Sequence, residues 1–132
     1  MKSKKLIMCL LIFTLVLCSS ITSFAKDESV TRRVDSYFDG VHCELEVSVS
    51  DKYVTVVAFA DEPIDEISIE AVSDFVNAEE IMRSKTRYNA TMCGLSISGA
   101  PLVHIYKGFG YAKFVIDGKV YRLYSPNVYN RV

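Results

Sequence analysis

The stretch VHCELEVSV, residues 41–49, decides the fold of this chain because apolar and polar side chains alternate strictly along it. A period of two is typical of a β-strand with one buried and one solvated face. The apolar run YVTVVAFA, residues 53–60, follows after a turn at 51–52. A two-residue turn sets Val49 opposite Val54 and brings the apolar sides of both runs together. The two runs therefore predict a β-hairpin.

A second hairpin is centred on Asp117 and Gly118, a dipeptide that favours the type I′ turn. This turn pairs the flanking strands in a single register and gives them a common, mainly apolar face. The expected pairs on that face are Ile116 with Lys119, Phe114 with Tyr121 and Ala112 with Leu123. On the other face they are Val115 with Val120, Lys113 with Arg122 and Tyr111 with Tyr124.

Two further strands are indicated in the second half of the chain. Residues 91–97 alternate and place Cys93 on the core side of a strand, as the first hairpin does for Cys43. Residues 102–106 form a short apolar run that predicts another strand. The Gly-Phe-Gly sequence at 108–110 predicts a bend after it.

The segment 64–82 fits two structures. Its apolar residues recur at every third or fourth position, as in an amphipathic helix, but residues 67–71 alternate equally well as a strand. Because short strands and turns surround the segment, we expect a strand over about 66–76 and an irregular stretch near 78–82. The predicted fold class is all-β, an antiparallel sandwich of about seven strands. The alternative is an α+β fold with a helix over about 64–82 on an antiparallel sheet.

The first 25 residues carry the features of a secretory signal peptide. Three lysines precede an apolar run over residues 6–17, and the small residues Ser23 and Ala25 suit cleavage after Ala25. The run is shorter than the roughly 18 apolar residues of a membrane span. The sequence therefore predicts a protein that is secreted or associated with the cell envelope, with no stable membrane insertion after cleavage.

Cleavage would leave residues 26–132, which suffice for a single domain. It would remove three lysines and no acid, leaving 12 of the 15 basic residues against 16 acidic ones. A mildly acidic protein is poorly suited to nucleic acid or anionic lipid, so neither is expected as a partner. The abundance of Val, Ile, Tyr and Phe excludes disorder for most of this domain.

Cys43 and Cys93 are the two cysteines that remain after cleavage. A pair of cysteines in an exported protein predicts a disulfide, here between strands that face the same core. Closing a loop of about 50 residues would stabilise the fold by about 4 kcal/mol. Two buried free thiols are the alternative.

The chain resembles small secreted immunoglobulin-like β-sandwich proteins of Gram-positive bacteria. The similarity lies in the signal peptide, the strand pair over 43–60 and the ending GYAKFVIDGKVY, residues 110–121. The resemblance implies an immunoglobulin-like sandwich and brings no catalytic residues with it. The chain departs from true immunoglobulin domains in having no tryptophan between its cysteines.

No catalytic or metal-binding constellation is predicted. His42 and Cys43 are neighbours on a strand and project to opposite faces, so they cannot form a nucleophile–base pair. His104 has no partner at the spacing of a catalytic triad or a zinc site. Glu44 and Glu46 share the outer face of one strand, where solvated carboxylates are expected. The sequence thus predicts a non-enzymatic protein with no cofactor and no metal.

Residues 61–80 carry eight acidic side chains and neither lysine nor arginine. Such a segment could form a weak cation site or a docking surface for a basic partner. It does not have the ligand spacing of an EF-hand. Residues 89–91 match the pattern for N-glycosylation, which has meaning only in a eukaryotic source.

The outer face of the second hairpin carries the candidate ligand-binding patch. Faces lined by tyrosine bind sugars through stacking and hydrogen bonds. Like charges opposite one another are unfavourable in a sheet, so the pairing of two cations favours an anionic or stacking ligand. The patch consists of Tyr111, Lys113, Arg122 and Tyr124, with Tyr106 and Tyr129 as extensions.

Three functions follow from these observations. The first is an exported, non-enzymatic binding module whose ligand is a cell-wall or extracellular glycan or a protein. The second is a secreted effector or inhibitor that acts on a protein partner through the acidic residues 61–80. The third is a small hydrolase.

Overall fold

The computed structural model describes residues 29–99 and 104–130, which form an antiparallel, all-β structure without any helix. No helix that could span a membrane is therefore found in this part of the chain. The all-β prediction with about seven strands is confirmed, whereas the signal peptide and the start of the short strand at 102–106 lie outside the described residues. The strands are β1 (Val30–Phe38), β2 (Val41–Val49), β3 (Tyr53–Phe75), β4 (Ile81–Ser98), β5 (Ile105–Ile116), β6 (Lys119–Tyr124) and β7 (Val128–Tyr129).

Both predicted hairpins form in the expected register. In the first, β2 and β3 pair with Val49 opposite Val54. In the second, β5 and β6 pair with all six predicted partners in place. Asp117 and Gly118 have φ values of 50° and 77°, and positive values at both positions are what a type I′ turn requires.

A third hairpin, absent from the sequence prediction, joins β1 to β2. Asp39 and Gly40 form its turn with φ values of 53° and 81°, and Phe38 pairs with Val41. The dipeptide is the same Asp-Gly signal that marks the second hairpin, so the sequence did contain the information for β1.

β3 is a strand of 23 residues, and β4 pairs with both of its ends. Its second half confirms the strand predicted over 66–76, and the alternative helix over 64–82 is wrong. The chain leaves the sheet at 76–80 and returns as β4 at Ile81. A register shift between Phe59 and Ile64 interrupts the ladder. Pro63 lies in this interval and lacks a backbone donor, so it suits an interruption of this kind.

All strands belong to one continuous sheet. β2 pairs with residues 54–60 of β3 and β5 pairs with residues 66–75, while β4 pairs with both stretches. β2 and β5 therefore follow one another along one edge of β3, and β4 occupies the other edge. The sheet is curled into a half-barrel, so its two halves, built on residues 54–60 and 66–75 of β3, enclose a common core. The predicted sandwich of two separate sheets is therefore not confirmed.

The core lies between these halves. Alternate side chains of β2, β3 and β5 are buried there, among them Leu45, Val56 and Phe114. On the side where the sheet is open, Phe38 of β1 stacks on Tyr121 of β6 with ring centroids 4.7 Å apart. This aromatic contact brings the first strand against the sixth although no backbone pairing joins them.

The halves approach closely at two glycines of β5. A Cβ atom on Gly108 would lie 2.8 Å from the side chain of Val54, and one on Gly110 would lie 2.8 Å from that of Val56. Both glycines are inside β5, so the bend predicted at 108–110 is wrong. They are needed for close packing across the core, which sequence alone does not distinguish from a bend.

The predicted disulfide is not formed, because Cys43 and Cys93 are buried free thiols. Cys43 pairs with Ala60 at one edge of β3, and Cys93 pairs with Ala58 at the other edge. Two strand spacings, about 10 Å, therefore separate them. The Cα atoms of a disulfide lie at most about 7 Å apart. Facing the same core is not sufficient when a third strand lies between the two cysteines.

Candidate functional site

The structure brings the four residues of the predicted patch together on the outer face of β5 and β6. Tyr111 lies directly opposite Tyr124, and Lys113 lies directly opposite Arg122. Side chains alternate along a strand, and Ala112, between the two outward residues of β5, is buried. The hairpin register alone therefore places all four side chains on one surface.

β3 and β4 extend this surface beyond the hairpin. Backbone pairing aligns side chains in rows that cross β4, β3, β5 and β6. We call the surface formed by these rows the four-strand face. Its first row is Ser84, Glu70, Tyr111 and Tyr124, and its second row is Thr86, Ser68, Lys113 and Arg122.

A shallow depression of about 500 Å³ lies on the four-strand face and is lined by both rows. Small-molecule sites have volumes of about 300–1,000 Å³. Short hydroxyl side chains occupy its β3 and β4 side, at Ser68, Ser84 and Thr86, whereas β5 and β6 contribute long side chains. This difference in side-chain length accounts for a depression on an otherwise flat sheet.

The aromatic part of the site is a chain of three rings. Tyr111 packs edge-to-face against Tyr124 with ring centroids 5.3 Å apart, and against Phe109 at 5.5 Å. Tyr106 and Tyr129 form a separate edge-to-face pair at 5.6 Å. Edge-to-face geometry is favourable for aromatic rings, so these contacts hold the tyrosine rings in place.

The structure also accounts for the unfavourable pairing of two cations in the second row. Lys113 Nζ lies 3.6 Å from Oε1 of Glu66, and both groups are partly shielded from water. The carboxylate reduces the repulsion that Lys113 would otherwise exert on Arg122. Among the described residues Arg122 itself has no ion-pair partner, which leaves its guanidinium available at the rim of the depression.

The acidic residues 61–80 do not form one uniform surface. Glu66 is paired with Lys113, and Asp74 lies 3.4 Å from Nζ of Lys107. These two contacts neutralise part of the negative charge within the fold. A basic partner would therefore meet fewer free carboxylates than the sequence suggests.

The contributions of β3 and β4 to the site were missed by sequence reasoning. The alternation over 67–71 showed that Ser68 and Glu70 share a face, but it did not show which strand lies beside them. Residues 82–90 lack the apolar alternation that marks a strand. In the structure all of them are exposed or half-exposed. Only the long-range pairing of β3 with β4 and β5 assembles the depression.

The two histidines are each paired with an aspartate. His42 Nε2 lies 2.8 Å from Oδ2 of Asp35, and this hydrogen bond raises the pKa of His42. His104 Nδ1 lies 2.8 Å from Oδ1 of Asp51. Cys43 points into the core, as expected for the neighbour of an outward His42. Within the described part of the chain, no serine, threonine or cysteine side chain hydrogen-bonds to either ring, so the arrangement offers no nucleophile–base pair.

Comparison of the chain with protein-family models, with curated proteins and with solved structures gives no significant match.

Proposed function

We propose that this protein is exported and acts as a non-enzymatic binding module, holding a glycan of the cell surface or its surroundings on the four-strand face. The observation that carries the proposal is the depression, which combines aromatic rings with hydroxyl, carboxylate and cationic groups. A sugar ring has apolar C–H faces and a rim of hydroxyls, so a site for it needs both kinds of group.

The two tyrosines supply the aromatic component. Tyr124 is 59% exposed, whereas Tyr111 is half-buried between its neighbours. An exposed ring held by a half-buried one is suited to stack on a ligand at a low cost in side-chain entropy. Glu70 and Ser84, in the same row, supply an acceptor and a hydroxyl for the hydrogen bonds that orient a sugar.

The spacing of the carboxylates supports binding rather than hydrolysis. Glu66 and Glu70 are four residues apart on β3, a separation of about 13 Å along a strand. The paired carboxylates of glycosidases lie about 5–9.5 Å apart. A sugar in the depression would therefore meet no pair of acids at catalytic spacing on β3.

Envelope retention tests the proposal. Cells expressing the full chain are fractionated, and the protein is quantified in medium, wall and membrane. The Tyr111→Ala and Tyr124→Ala variants should each lose most of their retention because each removes a ring from the depression. The matched control is Tyr53→Ala, which removes a tyrosine of similar exposure from the other half of the sheet. Thermal unfolding establishes that all variants fold.

Retention of the Tyr111→Ala, Tyr124→Ala double variant at the original level would contradict the assignment of this face. Protein found free in the medium would favour a secreted effector or inhibitor instead. In that case, charge reversal at Asp65 should weaken capture of its partner.

A further inference from the structure

A second group of polar side chains lies on the other half of the sheet, on the outer face of β1 and β2. Asp35 of β1 is directly opposite Glu44 of β2, and His42 is two residues before Glu44 on the same face. One ligand atom from each of these three side chains lies within 4.8 Å of the other two. Nitrogen and oxygen donors from two paired strands therefore converge on one point.

The distances suit a small divalent ion. His42 Nε2 and Asp35 Oδ2 are already 2.8 Å apart. A zinc ion binds nitrogen and oxygen ligands at about 2.0–2.2 Å, which places neighbouring ligand atoms roughly 3–3.5 Å from one another. All three donor atoms already lie within 4.8 Å of one another, close to this spacing.

Three carboxylates, those of Asp35, Glu44 and Asp61, surround His42, whose ring can carry one positive charge. Two carboxylates directly opposite each other in a sheet repel. The nearest arginine on β1 does not relieve this repulsion, because Arg33 Nη2 is engaged by Glu46 at 2.9 Å, one row further along. Asp61 adds another negative charge by accepting a hydrogen bond from the backbone nitrogen of His42 at 3.1 Å. The carboxylates therefore leave a local negative charge, which a bound cation would balance.

The imidazole is held in position by its surroundings. Tyr37, its cross-strand partner on β1, stacks on the ring with centroids 4.7 Å apart and planes inclined by 26°. A shallow pocket of about 280 Å³ opens beside the ring and is lined in part by His42, Glu44 and Asp61. The site is thus pre-oriented, and it is open to solvent for the entry of an ion and for ligands that complete its coordination.

We propose that Asp35, His42 and Glu44 form a site for one divalent transition-metal ion, with zinc as the best fit. Imidazole together with carboxylate favours zinc and its neighbours over calcium or magnesium, which prefer oxygen alone. Three protein ligands leave a coordination position free for water or for a donor from another molecule. This site lies on a different half of the sheet from the depression and does not depend on the glycan proposal.

The test is calorimetric titration of the full chain, purified without a histidine tag, with zinc chloride in a non-chelating buffer. One ion should bind per chain. The variants His42→Gln, Asp35→Asn and Glu44→Gln should each weaken binding by more than about tenfold, since each removes a ligand. Glu44→Gln also removes the like-charge repulsion between Asp35 and Glu44, so this variant should fold at least as well as the original chain. It therefore tests the site even if the His42 variant is unstable.

The chain contains its own matched control. His104 is the other histidine, and its ring is 2.8 Å from Asp51 just as that of His42 is from Asp35. His104→Gln should leave zinc affinity unchanged because, among the residues that the structure describes, no second carboxylate completes a site there. Equal losses for the two histidine variants, or the absence of saturable binding by the original chain, would overturn the proposal.

Cobalt distinguishes this site from the cysteines. Titration with cobalt chloride should give the weak absorption of a nitrogen–oxygen site and no thiolate charge-transfer band. An intense thiolate band would show that a cysteine side chain is the ligand instead, and it would likewise overturn the proposal.

Discussion

At the scale of single residues, burial governs the chemistry of the two thiols. Burial raises the pKa of Cys43 to about 11, and the Asp61 carboxylate contributes in the same direction. Burial also raises the pKa of Cys93, although Lys85 and Arg87 act against it. The thiolate is the nucleophilic form of cysteine, so neither side chain is reactive near neutral pH.

These thiols make stability depend on pH in the alkaline range. Folding favours the protonated form of Cys43, so its contribution is complete below the ordinary thiol pKa of about 8.5. The contribution is lost as the pH rises towards a value of about 11. Denaturant titrations should show the free energy of unfolding falling across this interval, and falling less in a Cys43→Ala variant.

The same burial should protect both thiols from alkylation. Iodoacetamide at about pH 8 should leave Cys43 and Cys93 unmodified in the folded protein and should label both in guanidinium chloride. Mass spectrometry of proteolytic peptides locates the added groups. Labelling of Cys43 or Cys93 in the folded protein, or a disulfide between them, would contradict this expectation.

At the scale of elements, β5 contacts both halves of the sheet, because it pairs with the second half of β3 and packs against the first. Its inner face carries Gly108 and Gly110, and a methyl group at either would meet a valine side chain at 2.8 Å. Real Cβ atoms do not approach that closely, so the strands would have to separate. The outer face of the same strand carries Tyr111 and Lys113. A change inside β5 is therefore expected to disturb both the core and the depression.

Alanine substitution tests this close packing. Gly108→Ala and Gly110→Ala should each lower the free energy of unfolding by about 1–3 kcal/mol, as overpacking does. Gly94→Ala is the matched control, because its nearest side-chain neighbour is Val57 at 3.4 Å, an ordinary contact. Chemical denaturation provides the measurement.

The cost of Gly108→Ala should be smaller in a Val54→Ala background, where the two methyl groups at 2.8 Å are gone and only that of Val49 at 3.0 Å remains. Equal costs at Gly94 and Gly108 would show that an added methyl group destabilises this sheet wherever it is placed, and that packing across the core does not determine the effect.

At the scale of the whole molecule, the curl of the sheet leaves β4 as an edge. Among the described residues β4 pairs with β3 alone. Arg83, Lys85 and Arg87 form an exposed basic row along it, since they pair with Ala71, Ile69 and Ile67 on one face. Charged side chains on an open edge prevent strands of different molecules from pairing, so this row is expected to keep the protein monomeric.

Removal of the charge tests that role. A variant with Arg83, Lys85 and Arg87 changed to Gln should form oligomers that grow with concentration, as detected by size-exclusion chromatography with light scattering. A control variant with Arg32, Lys52 and Lys119 changed to Gln has the same net charge and should remain monomeric. Oligomers of both variants would indicate a general effect of charge and not one of the β4 edge.

The sequence by itself determined the local elements of this protein. Strict alternation over 41–49 and the Asp-Gly turn at 117–118 specify two hairpins and their registers, because a shift of one residue would turn every apolar side chain outward. The same alternation placed Tyr111 and Lys113 on one face with their partners on β6. The Asp-Gly pair at 39–40 would have identified β1 in the same way.

Only the tertiary structure decided which elements meet across the fold. Contacts such as Tyr111 with Glu70 and Gly108 against Val54 depend on how the sheet curls and on which edge of β3 each strand takes. Local propensity carries no information on such choices, since they are made by burying the two apolar faces against each other. The tertiary structure also separates Cys43 from Cys93. Both side chains face the core, as the sequence predicted, but β3 lies between the strands that carry them.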